Sequence, residues 1–434
     1  MKSILLISIL VIGVKLKAQI TIDSLLDRTN NNLSVLQKLD DVKIAYEKVK
    51  EAKSLIFPSL SFTQSNGFTF GRFIDPFSNE FRQVNNYYNT FSLNLNWIIY
   101  TGGQYFRQLE YEKSVVSLRK DELSLISFDL KSDMVISYFA LRNLMDEKKT
   151  IIKQLKVNDK EVGIGEKLYD SGEISSLELL EIKNIERLNN IKSKGIDSEI
   201  AQYIEYIRYL CGEKNLILDD LKVPLVMDSL DFDSTAFNFR FHPLIAVVSS
   251  RLNSIKANNN IMKTLYSPSV SINANFYTGY SAANRLIDLN TGSEIKYPFQ
   301  DQLLNNQNQV ININLSIPIY NRRTTLTKVE IAKIEAQQQE KELFRVLLDM
   351  EHVYTKNLQE LRSLYNNYND YKQFIKSQDL IFKSKLDLLE NGDITLNEYL
   401  VHRKEFFETQ NELNRIRNEY LTKKYLFKQK FSAI

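Results

Sequence analysis

Four stretches of the chain alternate apolar and small polar residues with a period of two. In Ser59–Phe70, Leu60, Phe62, Phe68 and Phe70 fall on one face, with Ser59, Ser61, Thr63, Ser65 and Thr69 on the other. Phe91, Leu93, Leu95 and Trp97 oppose Thr90, Ser92, Asn94 and Asn96. Val270, Ile272, Ala274 and Phe276 oppose Ser269, Ser271, Asn273 and Asn275, and Ile311, Ile313, Leu315 and Ile317 oppose Asn312, Asn314 and Ser316. The alternation predicts strands over about 59–73, 88–98, 269–280 and 309–318, each with one apolar face. Elsewhere the period becomes helical: Leu123, Ile126, Leu130, Met134, Tyr138, Leu141 and Leu144 follow i, i+3, i+4 spacing. Long helices are expected over Gln104–Leu168 and Thr324–Leu388, each about 65 residues and on the order of 95 Å. Shorter ones are expected over Ile22–Ile56, Ser175–Leu210, Pro243–Leu265 and Thr395–Phe431.

These elements come in two sets. Leu168-Tyr169-Asp170-Ser171-Gly172-Glu173-Ile174-Ser175 matches Leu388-Leu389-Glu390-Asn391-Gly392-Asp393-Ile394-Thr395 at a spacing of 220. The same spacing pairs Leu93–Tyr100 with Ile313–Tyr320, while Pro58–Phe62 pairs with Pro268–Ile272 at 210. The chain therefore divides into a first repeat over 20–220, a connecting segment over 221–241 and a second repeat over 242–434. The longer loop of the second repeat, Ser281 to Asn308, has no assigned role.

Each strand is about 10 residues long, enough to cross a bilayer when tilted. Aromatic residues gather at both ends: Phe68, Phe70, Phe73, Tyr87 and Tyr88 at one, Trp97, Tyr100, Tyr266 and Tyr320 at the other. Alternation by itself suits a half-buried strand of a soluble protein or a lipid-facing barrel strand, and the strand length and aromatic ends favour the barrel. In a barrel, Ser92, Asn94, Asn96, Asn273, Asn312 and Asn314 would line the pore. Four strands cannot close a barrel, since the smallest have about 8. Two copies of the chain would suffice numerically, but so narrow an interior is filled by side chains. Three copies, with twelve strands, leave room for water.

Composition narrows the classes. Met1 to about Gln19 reads as a secretory signal, with Lys2 ahead of the apolar run Ile4–Val14 and a small residue at Ala18. The formal charge of +3 falls to zero once Lys2, Lys15 and Lys17 leave, so nucleic-acid binding is unsupported. Cys211 is the only cysteine, so no internal disulfide forms; beside Gly212 it reads as a small buried residue. His242, His352 and His402 are far apart in sequence and lack ligand spacing. With no nucleophile–base pair and no phosphate loop either, neither an enzyme nor a cofactor is expected.

Gly172 and Gly392 stand where the long helices end and a positive φ is wanted. Three residues on, Ser175 with Glu178 and Thr395 with Glu398 form the capping-box pattern for the returning helices. The same glutamates, with Asp170, Glu173, Glu390 and Asp393, would make a negative field if several copies met at these turns.

Over nearly its whole mature length the chain resembles the TolC outer-membrane efflux family. His242-Pro243-Leu244-Ile245, an apolar-polar helix and Ser267-Pro268-Ser269-Val270-Ser271 resemble that family's entry to each half. Asn32 to Phe62 repeats the pattern, with Leu33 in place of proline. Ile317-Pro318-Ile319-Tyr320-Asn321-Arg322 resembles the strand exit, usually a proline followed by an aromatic and a glycine pair. In the first half Ile98 replaces the proline and Thr101-Gly102-Gly103 keeps the glycines. The resemblance implies a trimeric twelve-stranded β-barrel in the cell outer membrane, continued by a long α-helical barrel in the periplasm. It implies a passive duct of a tripartite efflux or type I secretion system. Gly172, Glu173, Gly392 and Asp393 would dock a periplasmic adaptor (a membrane fusion protein), and an inner-membrane pump would supply substrate and energy. Ser175, Glu178, Leu389, Ile394, Thr395 and Glu398 would sit at the entrance gate. Leu389 and Ile394 replace a tyrosine and an arginine of the best-known members, which points to closure by apolar packing. The rival reading is a secreted or periplasmic coiled-coil structural or adhesive protein with its β-ribbons in soluble contacts.

Overall fold

The computed structural model describes residues 21–75, 77, 79–214, 242–290 and 292–431. The expected signal over 1–19 and the connecting segment over 221–241 lie outside them. Eight helices and eight strands are described: α1 (Ile22–Arg28), α2 (Leu33–Ser54), β1 (Ser59–Thr69), β2 (Arg72–Ile74), β3 (Phe81–Gln83), β4 (Asn86–Tyr100), α3 (Gln104–Asp170), α4 (Ser176–Cys211), α5 (Pro243–Thr264), β5 (Ser269–Ser281), β6 (Arg285–Ile287), β7 (Glu294–Lys296), α6 (Phe299–Asn305), β8 (Asn308–Ser316), α7 (Thr324–Glu390) and α8 (Leu396–Phe431). The long helices α3 and α7 have 67 residues each, and α4 and α8 have 36 each.

Two compact units divide the chain, and both cut across the order of the sequence. One holds residues up to Leu39, Glu122–Ala246 and Arg345 onward; the other holds Asp40–Asp121 and Val247–Phe344.

In the first unit the stripe predicted on α3 is the core. Leu130, Met134, Tyr138 and Leu141 are buried with Ile207, Leu210 and Cys211 of α4, Leu361 of α7, and Tyr420 and Phe427 of α8. Cys211 is indeed buried, and burial pushes its thiol up to about 11. A second cluster joins Ile164, Leu168, Ile182, Phe382, Leu389, Leu396, Tyr399, Phe406 and Phe407. The rings of Phe382 and Phe406 stack 4.7 Å apart.

The expected single helix over Ile22–Ile56 is interrupted. A 3-10 turn over Thr29–Asn31 separates α1 from α2, and Asn32 is extended at ψ 138°. The run Thr29-Asn30-Asn31-Asn32 offers side-chain partners that compete with helix. Asn32 uses both ends of its amide: Oδ1 accepts from the Ser34 N–H at 2.9 Å, and Nδ2 donates to the carbonyls of Tyr209 and Leu210. At the corresponding place before α5, His242 Nδ1 accepts from the Leu244 N–H at 3.2 Å.

The second unit contains a four-stranded sheet in the order β1-β4-β5-β8, every neighbouring pair antiparallel. The first predicted strand ends early because the chain turns at Gly71, φ +93°. Residues 72–74 instead form a hairpin with 81–83. The stretch 281–308 is not the plain loop its sequence suggests: it holds the hairpin β6–β7 and helix α6. Its anchor is Gln302, fully buried, which accepts from the Ser281 N–H and donates to the Ser281 and Tyr297 carbonyls. The buried Asp75 carboxylate receives the Ser281 hydroxyl, tying the loops of the two halves together.

Candidate functional sites: the sheet faces and the helix turns

Because the period of a strand is two, the register decides which residues share a face. Ser59, Asn96, Asn273 and Asn312 stand opposite one another across all four strands. The next rungs on that face are Ser61, Asn94, Asn275 and Val310, then Thr63, Ser92, Tyr277 and Asn308, while Asn314 pairs Ser271. The six residues expected to line a pore thus share one polar face. The other face carries Leu60, Leu95, Ala274 and Ile311 on one rung and Phe62, Leu93, Phe276 and Gln309 on another, with Trp97, Ile272 and Ile313 on a third. Leu60, Phe62, Leu93, Trp97, Ile313 and Leu315 are all exposed, Ile313 by 72%. None of the four strands contains a charged residue. Among the described residues nothing covers this apolar face.

The two helix turns have the same backbone. Gly172 has φ +82° and Gly392 φ +74°. The Glu173 N–H returns to the Leu168 carbonyl and the Gly172 N–H to that of Tyr169. Asp393 with Leu388, and Gly392 with Leu389, repeat those bonds. This is the Schellman ending, and it needs a left-handed residue that glycine supplies without strain. The turns lie side by side: a Cβ on Gly392 would stand 2.9 Å from a Glu173 carboxylate oxygen. That carboxylate also accepts from the Ser171 hydroxyl at 2.9 Å. Asp393 is exposed.

Only one of the two expected capping boxes closes. Ser175 accepts from the Glu178 N–H, and Glu178 reaches back to the Ser175 N–H at 2.7 Å. Those bonds hold the Glu178 carboxyl below its ordinary value. Thr395 accepts from the Glu398 N–H at 3.3 Å, but the Glu398 carboxylate pairs with Lys385 of α7 instead. The lysine lowers that carboxyl too. A cation on the neighbouring helix outcompetes the backbone amide for this glutamate. Leu389 is buried and Ile394 packs against the same apolar cluster.

Beside this cluster lies a buried polar clasp that local periodicity alone does not assemble. Glu161 of α3 accepts from Arg403 Nε through both oxygens, at 2.7 and 3.0 Å, and from the Tyr399 hydroxyl. The side chains of Glu161 and Arg403 are 1% and 8% exposed. Burial and the neighbouring Glu161 anion raise the Tyr399 phenol well above its ordinary value. Further along the same two helices, buried Asp146 of α3 receives Arg417 and Asn418 of α8 as well as its own neighbour Arg142. A signal was available: Glu161 interrupts the stripe Val157, Ile164, Leu168, and Arg403 the stripe Leu396, Tyr399, Phe406.

Among the described residues no group of His, Cys, Asp and Glu could hold a metal, and no helix is long and apolar enough to cross a membrane.

The four-stranded sheet with its paired long helices is the fold of the TolC-family outer-membrane channels. The solved structure of CusC superposes with a TM-score of 0.78 at 15% identity, covering 94% of this chain and 91% of that one. The outer membrane protein VceC of Vibrio cholerae gives 0.77 at 15% identity, covering 94% and 95%. The Campylobacter jejuni CmeC outer membrane channel gives 0.77 at 15%, covering 94% and 84%. No protein-family model and no curated protein sequence matches the chain.

Proposed function

We propose that the protein is an outer-membrane channel, a passive duct assembled from three copies of the chain. The observation that carries this reading is the sheet: exposed and apolar on one side, polar on the other, and free of charge in every strand. Lipid accepts irregular or open backbone only when every amide finds a partner, which for strands means a closed barrel. The edges of the sheet are β1 and β8. Directions alternate along the order, so β1 and β8 run opposite to each other, and β8 of one copy can pair antiparallel with β1 of the next. Rings of such sheets close without a parallel seam. Three copies give twelve strands and a water-filled lumen walled by the asparagine face. The fold shared with known outer-membrane channels supports the same reading.

In this reading the helical unit extends into the periplasm, and the turns at Gly172 and Gly392 dock a periplasmic adaptor fed by an inner-membrane pump. No bond is made or broken. The entrance is closed by the apolar cluster around Leu389 and Ile394, and adaptor binding opens it by favouring the dilated state. Glu178 and Glu398 then present carboxylates at the entrance.

Two measurements test the proposal. Purified protein should resist extraction by salt or carbonate and require detergent; release without detergent would favour the soluble coiled-coil alternative. In planar bilayers it should form cation-selective pores, and the Glu178→Gln, Glu398→Gln pair should lose that selectivity. Unchanged selectivity would leave both residues as helix-end partners only.

A further inference from the structure

Two junctions lead from a long strand into a 67-residue helix, and they share an unusual backbone. After β4, Gly102 and Gly103 have φ of +64° and +82°; after β8, Arg322 and Arg323 have φ of +56° and +63°. Glycine takes the left-handed region freely, whereas side chains with a Cβ avoid it. The second placement is unfavourable for another reason. The Arg323 carbonyl accepts from the Thr327 N–H, so the pair opens α7, where the helix dipole repels cations. Both arginines are exposed, and neither has a carboxylate partner among the described residues. Strain kept where glycine would serve points to a use.

What precedes them indicates the use. From Gln302 to Asn321 the sequence carries no charge. Ile311, Ile313 and Leu315 of β8 are exposed on the apolar face, and Ile317, Ile319 and Tyr320 after the strand are exposed too, Ile319 by 93% and Tyr320 by 80%. An apolar row, an aromatic with a polar tip and then paired cations is the order of groups across a membrane boundary: acyl chains, interface, phosphate.

We propose that Arg322 and Arg323 bind the phosphates of anionic phospholipid headgroups where the apolar face of the sheet ends. The proposal rests on the lipid-facing reading of that face. Glycine pairs fix the junction's shape in the first half, while the arginines of the second add a headgroup site on the same shape.

Trp97 is the only tryptophan, exposed on the apolar face and on one rung with Ile272 and Ile313. It lies two strand spacings, roughly 10 Å, from β8, close enough to report on lipid beside it. Full-length protein is reconstituted in phosphatidylcholine vesicles containing brominated phosphatidylglycerol, and in the converse mixture. Quenching of Trp97 should show phosphatidylglycerol favoured over phosphatidylcholine, on the order of fivefold for each arginine, and less at high salt. The Arg322→Gly, Arg323→Gly variant copies the first junction, so it should fold at least as stably while the preference falls to about one. A variant that keeps the full preference overturns the proposal. So does wild-type protein quenched equally by both lipids, the result expected if a second copy of the chain covers the arginines. Quenching by neither lipid would instead remove the membrane reading itself.

Discussion

Replacing Glu161 by Gln should loosen α8 without changing the shape of the site. The carboxylate is almost fully buried and balances the Arg403 guanidinium through two hydrogen bonds. Glutamine keeps one oxygen for Arg403 or Tyr399 but leaves the arginine's charge buried and unbalanced. Removing one partner of such a pair costs about 3–5 kcal/mol. Local opening should therefore become more frequent by two orders of magnitude or more, since each ~1.4 kcal/mol is tenfold. Hydrogen exchange of peptides covering residues 396–407 measures that opening directly. The decisive comparison is Glu161→Leu with Arg403→Met in one chain, which removes both charges. Only the Tyr399 hydroxyl is then left without its acceptor, at about 1–3 kcal/mol. The double variant should exchange more slowly than either single variant. Equal or faster exchange, or a Glu161→Gln protein within about threefold of wild type, would refute the claim that charge balance holds this seam.

Other outcomes follow from the same geometry. Burial, with Lys430 adding to it, lowers His242 to about 4, so the unfolded chain takes up a proton near pH 6.5 that the folded chain refuses. Its contribution is complete above about pH 6.5 and is lost as pH falls toward 4, by about 2 kcal/mol between pH 7 and pH 5. In His242→Asn, which can still accept the Leu244 N–H as Asn32 accepts that of Ser34, exchange at the start of α5 should lose this acid sensitivity. Valine at Gly172 or Gly392 places a β-branched residue at positive φ, costing roughly 1–2 kcal/mol each. If these turns dock an adaptor as proposed, cells carrying it should fail to export while the proposed trimers persist, and normal export would argue against docking there. Cys211, buried and with its thiol raised to about 11, should resist maleimide at neutral pH until the chain unfolds; rapid labelling of native protein would contradict its place in the core.

The elements that could be read from sequence are those whose signal is local. Alternation over Leu93–Trp97 and the paired Gly172 and Gly392 turns depend only on near neighbours. The break at Asn32 depends on carbonyls of Tyr209 and Leu210, which no local pattern announces. The fate of Glu398 depends on Lys385, 13 residues back across the turn. Glu161 and Arg403 stand 242 residues apart, so each looks like a lone flaw in an apolar stripe until the fold joins them. The stretch 281–308 hid its order for a similar reason. Its strands are three residues each, too short for periodicity, and its anchor is a single glutamine facing Ser281.

If the polar face lines a pore as proposed, the absence of any charged residue from its four strands has a consequence for whatever passes along it. Nothing on the asparagine side can gain or lose a proton at physiological acidity or hold a fixed counter-ion. Friction in that stretch should therefore be the same for anions, cations and neutral solutes of equal size. Any preference for sign, or any response to acidity, has to originate elsewhere along the path.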